Sequence, residues 1–324
     1  MTVTPDTSPQ TRLIGILLAL GGAVTLSVND VAVKFLSGAY PLHEIILFRA
    51  VIGLSFLMVM IKLSGTGFGQ LRTRRFKGHA FRVSVILVSN VAYFLALRVM
   101  PLADAVAVAY VSPLFVTLLS VAFLGERIGL HRWGAILCGF VGVLIMVRPG
   151  QGVVQMATIL VLISSFCYAT SHMMTRRMRN TESAFTLSFY VQIGFVIVSA
   201  LMGVFAGDGK FLTADNAALE FLLRPWVWPD PADIPVFFAT GLAVSLGGLM
   251  VSQAYRLCEA GMVAGFEYSG MPMAILWGVV IFGVWPDRTA WSGITLIVGA
   301  GLYTLWRETV RRERSRFDSR SGRV

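Results

Sequence analysis

Ten apolar blocks of about 15–25 residues divide the chain, and a block of that length crosses a hydrocarbon core of about 30 Å as a single helix. They cover 13–36, 43–63, 80–98, 102–123, 133–147, 153–174, 185–205, 234–256, 262–284 and 290–306. The alternating ten-residue pattern of a membrane barrel is absent. Of the 324 residues 56% are hydrophobic and only 14% charged, where a soluble domain carries about 25% charged residues. The expected fold class is an all-α integral membrane protein.

The formal charge of +10 raises nucleic acid as a partner, and its placement argues against one. If residues 1–12 lie in the cytoplasm, alternate loops place Arg12, Lys62, Arg72, Arg74, Arg75, Lys77, Arg82, Arg127, Arg132, Arg176, Arg177, Arg179, Arg256 and the seven arginines after position 306 on that side, 20 of the 27 basic residues. The other side keeps Lys34, Arg98, Arg148, Lys210, Arg224 and Arg288, and Arg49 lies within a helix. This bias predicts cytoplasmic N- and C-termini, a periplasmic 206–233 and a solvated or headgroup-facing basic tail over 307–324. The first block is too long for a cleaved leader and carries Asn29, Asp30 and Lys34, so it reads as a retained helix. Cys138, Cys167 and Cys258 fall in apolar blocks at spacings that suggest neither metal nor disulfide.

The chain repeats itself. A shift of 158 lays "ALRVMPLADAVAVAYVSP" (96–113) over "AYRLCEAGMVAGFEYSGM" (254–271), matching Arg98 with Arg256 and Tyr110 with Tyr268; it also matches Gly125 with Gly283 and Trp133 with Trp291. A shift of 141 lays "FRAVIG" (48–53) over "FYVQIG" (189–194). Five blocks per half is odd, so the second half enters the membrane from the opposite side, an inverted repeat of the kind many secondary transporters use.

The repeat endings "FLGERIGLHRWGAILCGFVGVLIMVRPG" (123–150) and "FGVWPDRTAWSGITLIVGAGLYTLW" (282–306) resemble those of EamA-type permeases in the drug/metabolite transporter superfamily. The resemblance spans about 13–306. It implies ten helices in two five-helix repeats, 13–150 and 151–306, around a central cavity, with the fifth and tenth at the periphery. Gly125-Glu126 becomes Gly283-Val284 in the second copy, so that carboxylate is not mirrored. "SVNDVAVKFLSGAYPLHEIILFRA" (27–50) is similar to permeases assigned to riboflavin or S-adenosylmethionine uptake.

Polar residues inside the blocks are the candidate path, because intramembrane charge is costly and usually functional. Asp30 and Arg49 each lie six residues, about 9 Å, from the same ends of the first two helices and are expected to pair, with Lys34 sharing Asp30 at i+4. That pair reads either as a strut of the hairpin or as an outer polar gate. Ser171, His172, Tyr190 and Glu267 are expected near the opposite surface as an inner cluster, with Asn90, Tyr93, Tyr168 and Trp277 between. Tyr110 and Tyr268 recur in both halves, whereas Glu267 replaces Ala109. Glu267 reads either as a carboxylate tilted to the headgroups or as a cavity group that carries a proton or meets a cationic substrate. Pro113 and Pro272, with Gly270, interrupt the fourth and ninth helices at nearly matching positions, a pointer to a transport site. Gly139, Gly142, Gly299 and Gly301 suit close helix packing or a homodimer face.

Three function classes compete: transporter, intramembrane enzyme, and receptor or scaffold. Leu47 stands where a zinc-protease motif after His43-Glu44 needs its second His, and no GxxxxGK[ST] run exists. No metal or cofactor is called for. The longest loop, 206–233, is too short for an extramembrane domain. A secondary transporter of a small polar or zwitterionic metabolite in the bacterial inner membrane is expected, with protons as a candidate coupling ion.

Overall fold

A computed structural model describes residues 9–65, 67–124, 130–147, 153–212, 216–258 and 260–321, and among these every regular element is helical. The α-helices are α1 (Pro9–Leu36), α2 (Leu42–Leu63), α3 (Phe76–Val99), α4 (Leu102–Ala109), α5 (Ser112–Leu124), α6 (Leu130–Val147), α7 (Val153–Met178), α8 (Ala184–Ala206), α9 (Ala217–Leu223), α10 (Ile234–Leu257), α11 (Ala260–Glu267), α12 (Gly270–Phe282) and α13 (Arg288–Ser321). Seven helical stretches among the described residues are long and apolar enough to cross a membrane, and Trp133–Met146 and Gly270–Val280 are shorter apolar helices.

Large apolar side chains face outward, and several charged ones are buried among the helices. Leu17, Leu144 and Val204 are 57%, 65% and 77% exposed, while Arg49, Glu44, Arg82 and Glu267 are buried. Lipid is as apolar as leucine, so outward-facing side chains carry no penalty there and the polar groups are sequestered among the helices. Helix ends follow local chemistry. Ser183 caps α8 by accepting from the Thr186 amide at 3.0 Å. Gly283 ends α12 in the left-handed conformation, φ 64°, which a side chain would resist. Gly125 and Glu126, at the matching ending of the first half, lie outside the described residues.

Small residues set the closest crossings. A Cβ on Gly22 would strike Val251 and one on Gly247 would strike Leu26, so α1 and α10 approach backbone to backbone. Gly139 faces Leu114 and Ala300, and Gly142 faces Ile297 and Leu296 of α13. At these two glycines the close packing is within the chain. Gly301 abuts Tyr268, and only Gly299 of the four meets nothing within 4 Å.

The 206–233 connection lies over the start of α2. The Val227 amide donates to Glu44 Oε2 at 3.1 Å, the Asp230 amide to Tyr40 Oη at 2.9 Å, and Tyr40 in turn to Asp233 Oδ2 at 2.7 Å. Trp226 packs near His43 and Phe48, with centroids 6.0 and 5.9 Å away. At the far end of α2, the starts of α3 and α8 meet the end of α7. There Thr73 donates to Glu182 at 2.8 Å, and His79 lies 3.2 Å from Glu182. Arg82 donates to Thr175 Oγ1 and the Leu187 carbonyl. The basic tail continues α13 unbroken from Trp306 to Ser321.

Candidate functional site

Two membrane helices are broken at matching points. α4 stops at Ala109 and α5 starts at Ser112; α11 stops at Glu267 and α12 starts at Gly270. Pro113 and Pro272 fall in the first turn of each second piece, where a missing N–H costs nothing. A break leaves carbonyls without helical partners, and in a membrane interior these must be met by protein. Ser165 donates to Ala109 O at 3.3 Å while also bonding Val161 O. Tyr268 donates to Tyr110 O at 3.0 Å, with the two tyrosine rings 5.1 Å apart. The two breaks are thus tied to each other.

A cavity of about 140 Å³ lies beside them. Asp30 of α1, Tyr93 of α3, Tyr110 at the first break, Tyr168 of α7, and Glu267 and Gly270 at the second all line it. Asp30 accepts from Tyr93 Oη at 3.1 Å and from Asn29 Nδ2 at 3.1 Å. Glu267, 7% exposed, accepts from Tyr168 Oη and Tyr255 Oη, each at 3.3 Å. Tyr110 Oη occupies the space a side chain at Gly270 would need.

Several expectations are corrected here. Asp30 and Glu267 do not belong to separate outer and inner clusters; they face one cavity. α11 begins at Ala260 and breaks directly after Glu267, which brings that carboxylate inward instead of leaving it near a surface. Asp30 and Arg49 make no direct pair. Arg49 donates to Asn29 Oδ1 at 3.1 Å and Asn90 Oδ1 at 2.7 Å, so Asn29 relays between the charges. Lys34 does not share Asp30. Its ammonium donates to the Leu97 and Met100 carbonyls at 2.7 and 2.8 Å, where a cation suits the C-terminus of α3. Tyr190 is away from the cavity, donating to Leu71 O and packed against His79 in a tilted ring pair with centroids 4.2 Å apart.

Three further candidates sit just behind the wall. His172 stacks on Tyr255 at 4.2 Å and meets Tyr168 edge-on at 4.1 Å; it touches Glu267 only through those two tyrosines. Trp277 donates to Ser27 Oγ at 3.2 Å, and Ser27 lines the cavity. Asn90 holds Arg49 and donates to Ile86 O. Sequence reasoning missed Ser27, Asn29, Ser112, Ser164, Ser165 and Tyr255. The doublet Ser164-Ser165 inside an apolar block was a readable signal; Tyr255 offered none beyond lying one residue from Arg256.

The relay carries a measurable coupling. The stability changes of Asp30→Asn and Arg49→Met are expected to be non-additive by about 1–2 kcal/mol, and to add within about 0.5 kcal/mol in an Asn29→Leu background. Thermal melts of the purified variants test this; undiminished coupling without Asn29 would mean that the charges meet by another route.

Comparison with known proteins places the chain among transporter-like sequences. The EamA-like transporter family matches residues 13–148. A riboflavin transporter of Rhizobium johnstonii is 26% identical over 308 residues, covering 94% of this chain and 95% of its own. Residues 13–148 belong to the EamA-like transporter family. The permease is also 23% identical to an S-adenosylmethionine uptake transporter of Rickettsia prowazekii, over 92% of this chain and 95% of the relative. A pseudopaline exporter of Pseudomonas aeruginosa is 27% identical over 88% and 94%. A solved crystal structure shares the permease's fold with TM-score 0.66 at 20% identity, covering 91% of this chain and 96% of its own. The permease is a multi-pass membrane protein, and these relatives are named as transporters of small metabolites.

Proposed function

We propose that the permease is a secondary transporter of small polar organic metabolites that works by alternating access in the bacterial inner membrane. The observation that carries this reading is the polar cavity lying where two broken helices meet, the arrangement in which midplane transport sites are built. Ten spans follow if α4 with α5 and α11 with α12 each count as one crossing and α9 stays outside. The halves are then 13–150 and 151–306. Helix packing supports an inverted pair: α1 packs along α10 as α7 packs along α3, while α2 meets α8 and α6 meets α13. The relatives' names point to riboflavin, S-adenosylmethionine and pseudopaline as the size range of cargo. Glu267 is the candidate proton carrier, and its tyrosine partners give it a defined place to hold or lose a proton.

The test is counterflow in proteoliposomes holding the full chain. Vesicles preloaded with a metabolite that binds should accumulate the same labelled compound, and protein-free vesicles should not. Binding without exchange, or chemical alteration of the compound, would replace the transport reading by a receptor or an enzyme.

Orientation is tested separately. Both termini are placed in the cytoplasm and 206–233 in the periplasm. Lys210 is half-exposed, so Lys210→Cys in a background lacking Cys138, Cys167 and Cys258 should react with an impermeant maleimide in intact spheroplasts. Labelling only after lysis would reverse the topology.

A further inference from the structure

Resting on that transport reading, we infer that the cavity takes a small organic cation in preference to the zwitterion or anion of the same skeleton, with its positive group at Glu267. Among the described residues, every ionisable side chain on the cavity wall is an acid: the carboxyls of Asp30 and Glu267 and the phenols of Tyr93, Tyr110 and Tyr168. The neighbouring cations are engaged elsewhere. Arg49 lies between the rings of Phe94 and Phe195, 5.0 and 5.1 Å from their centroids, and its bonds go to two asparagines. Lys34 closes the end of α3, and Arg82 is bonded to Thr175 and Leu187.

The two carboxylates are not equivalent. Asp30 has Arg49 one hydrogen-bonded residue away through Asn29. Glu267 meets only the hydroxyls of Tyr168 and Tyr255. An ionised Glu267 therefore lacks a counter-charge among the described residues, and burying a bare charge is costly unless something pairs with it. A ligand cation supplies the pair.

The wall also holds acceptors waiting for donors. Ser112 is 6% exposed and lines the cavity, and its hydroxyl makes no hydrogen bond to another described residue. The Tyr110 hydroxyl, against Gly270, likewise makes none among the described residues. A primary ammonium brings three donors and no acceptor, which suits one carboxylate and two hydroxyl oxygens. The tyrosine faces add a cation–π surface. A substrate carboxylate would instead find hydroxyls, two like charges and no cation among the described wall residues.

The experiment compares matched compounds on the full-length protein: tyramine, tyrosine and 3-(4-hydroxyphenyl)propionate, and isoamylamine, leucine and 4-methylpentanoate. Equilibrium binding is measured by calorimetry, then counterflow in proteoliposomes. Each amine is expected to bind roughly tenfold or more tightly than its amino acid, with no saturable binding of the acids. Glu267→Gln should remove that preference and Glu267→Asp should keep it. The inference is overturned if an amino acid or acid binds as tightly as its amine, if neither amine binds saturably, or if a folded Glu267→Gln protein keeps the wild-type order. Amine binding without counterflow would sink the transport reading and leave the charge preference standing. Preferred exchange of the amino acids would do the reverse.

Discussion

Arg49→Ala is expected to destabilise the purified permease by about 3–5 kcal/mol, on the order of a 10 °C fall in melting temperature, with a matching loss of membrane yield. Arg49 is 0% exposed. Its removal leaves the Asn29 and Asn90 oxygens without donors, at about 1–3 kcal/mol each. It also opens a hole between Phe94 and Phe195 and takes from Asp30 the charge that opposes it. Arg49→Lys should lose about half as much, because a point ammonium does not span two acceptors as a guanidinium fork does. A melting temperature within about 2 °C of wild type for Arg49→Ala would show that the relay adds nothing to the fold.

Glu267→Gln is expected to lower transport by roughly tenfold or more while the protein stays folded. Gln has the same shape, and one tyrosine hydroxyl can reverse to accept from its amide, so the local packing survives. Charge and titration do not. Wild-type transport should vary between pH 5 and 8 and the Gln variant should lose that variation. A folded Gln variant with wild-type rate and pH profile would place the carboxylate outside the path.

Helices were legible because hydropathy is read along the chain, and a run of about 20 apolar residues has few other fates. Block ends moved by a few residues: α1 starts at Pro9 and α3 at Phe76. Position along an unbroken helix was also legible, since rise per residue is constant; the break after Glu267 was where that reading failed. Azimuth was not legible. Asp30 and Arg49 lie at similar depth, yet the side chain turned toward Arg49 is Asn29, one residue and about 100° round the helix. Lys34 shows the same limit: i+4 spacing permitted a contact with Asp30, and the unsatisfied carbonyls of α3, more than 60 residues away, were the stronger attraction. Tyr255 and Tyr168 converge on Glu267 only because α10, α7 and α11 pack together, and nothing local in either helix announces it.

The bond from the Tyr268 hydroxyl to Tyr110 O couples two helix breaks that the proposed two-fold arrangement makes equivalent, yet Glu267 stands opposite Ala109. A fully symmetric chamber would admit a passenger either way round. One carboxylate without a twin removes that freedom and gives the cargo a head and a tail. The head stays with α11 whichever door is open, so a molecule that leaves head first on one side of the membrane leaves tail first on the other.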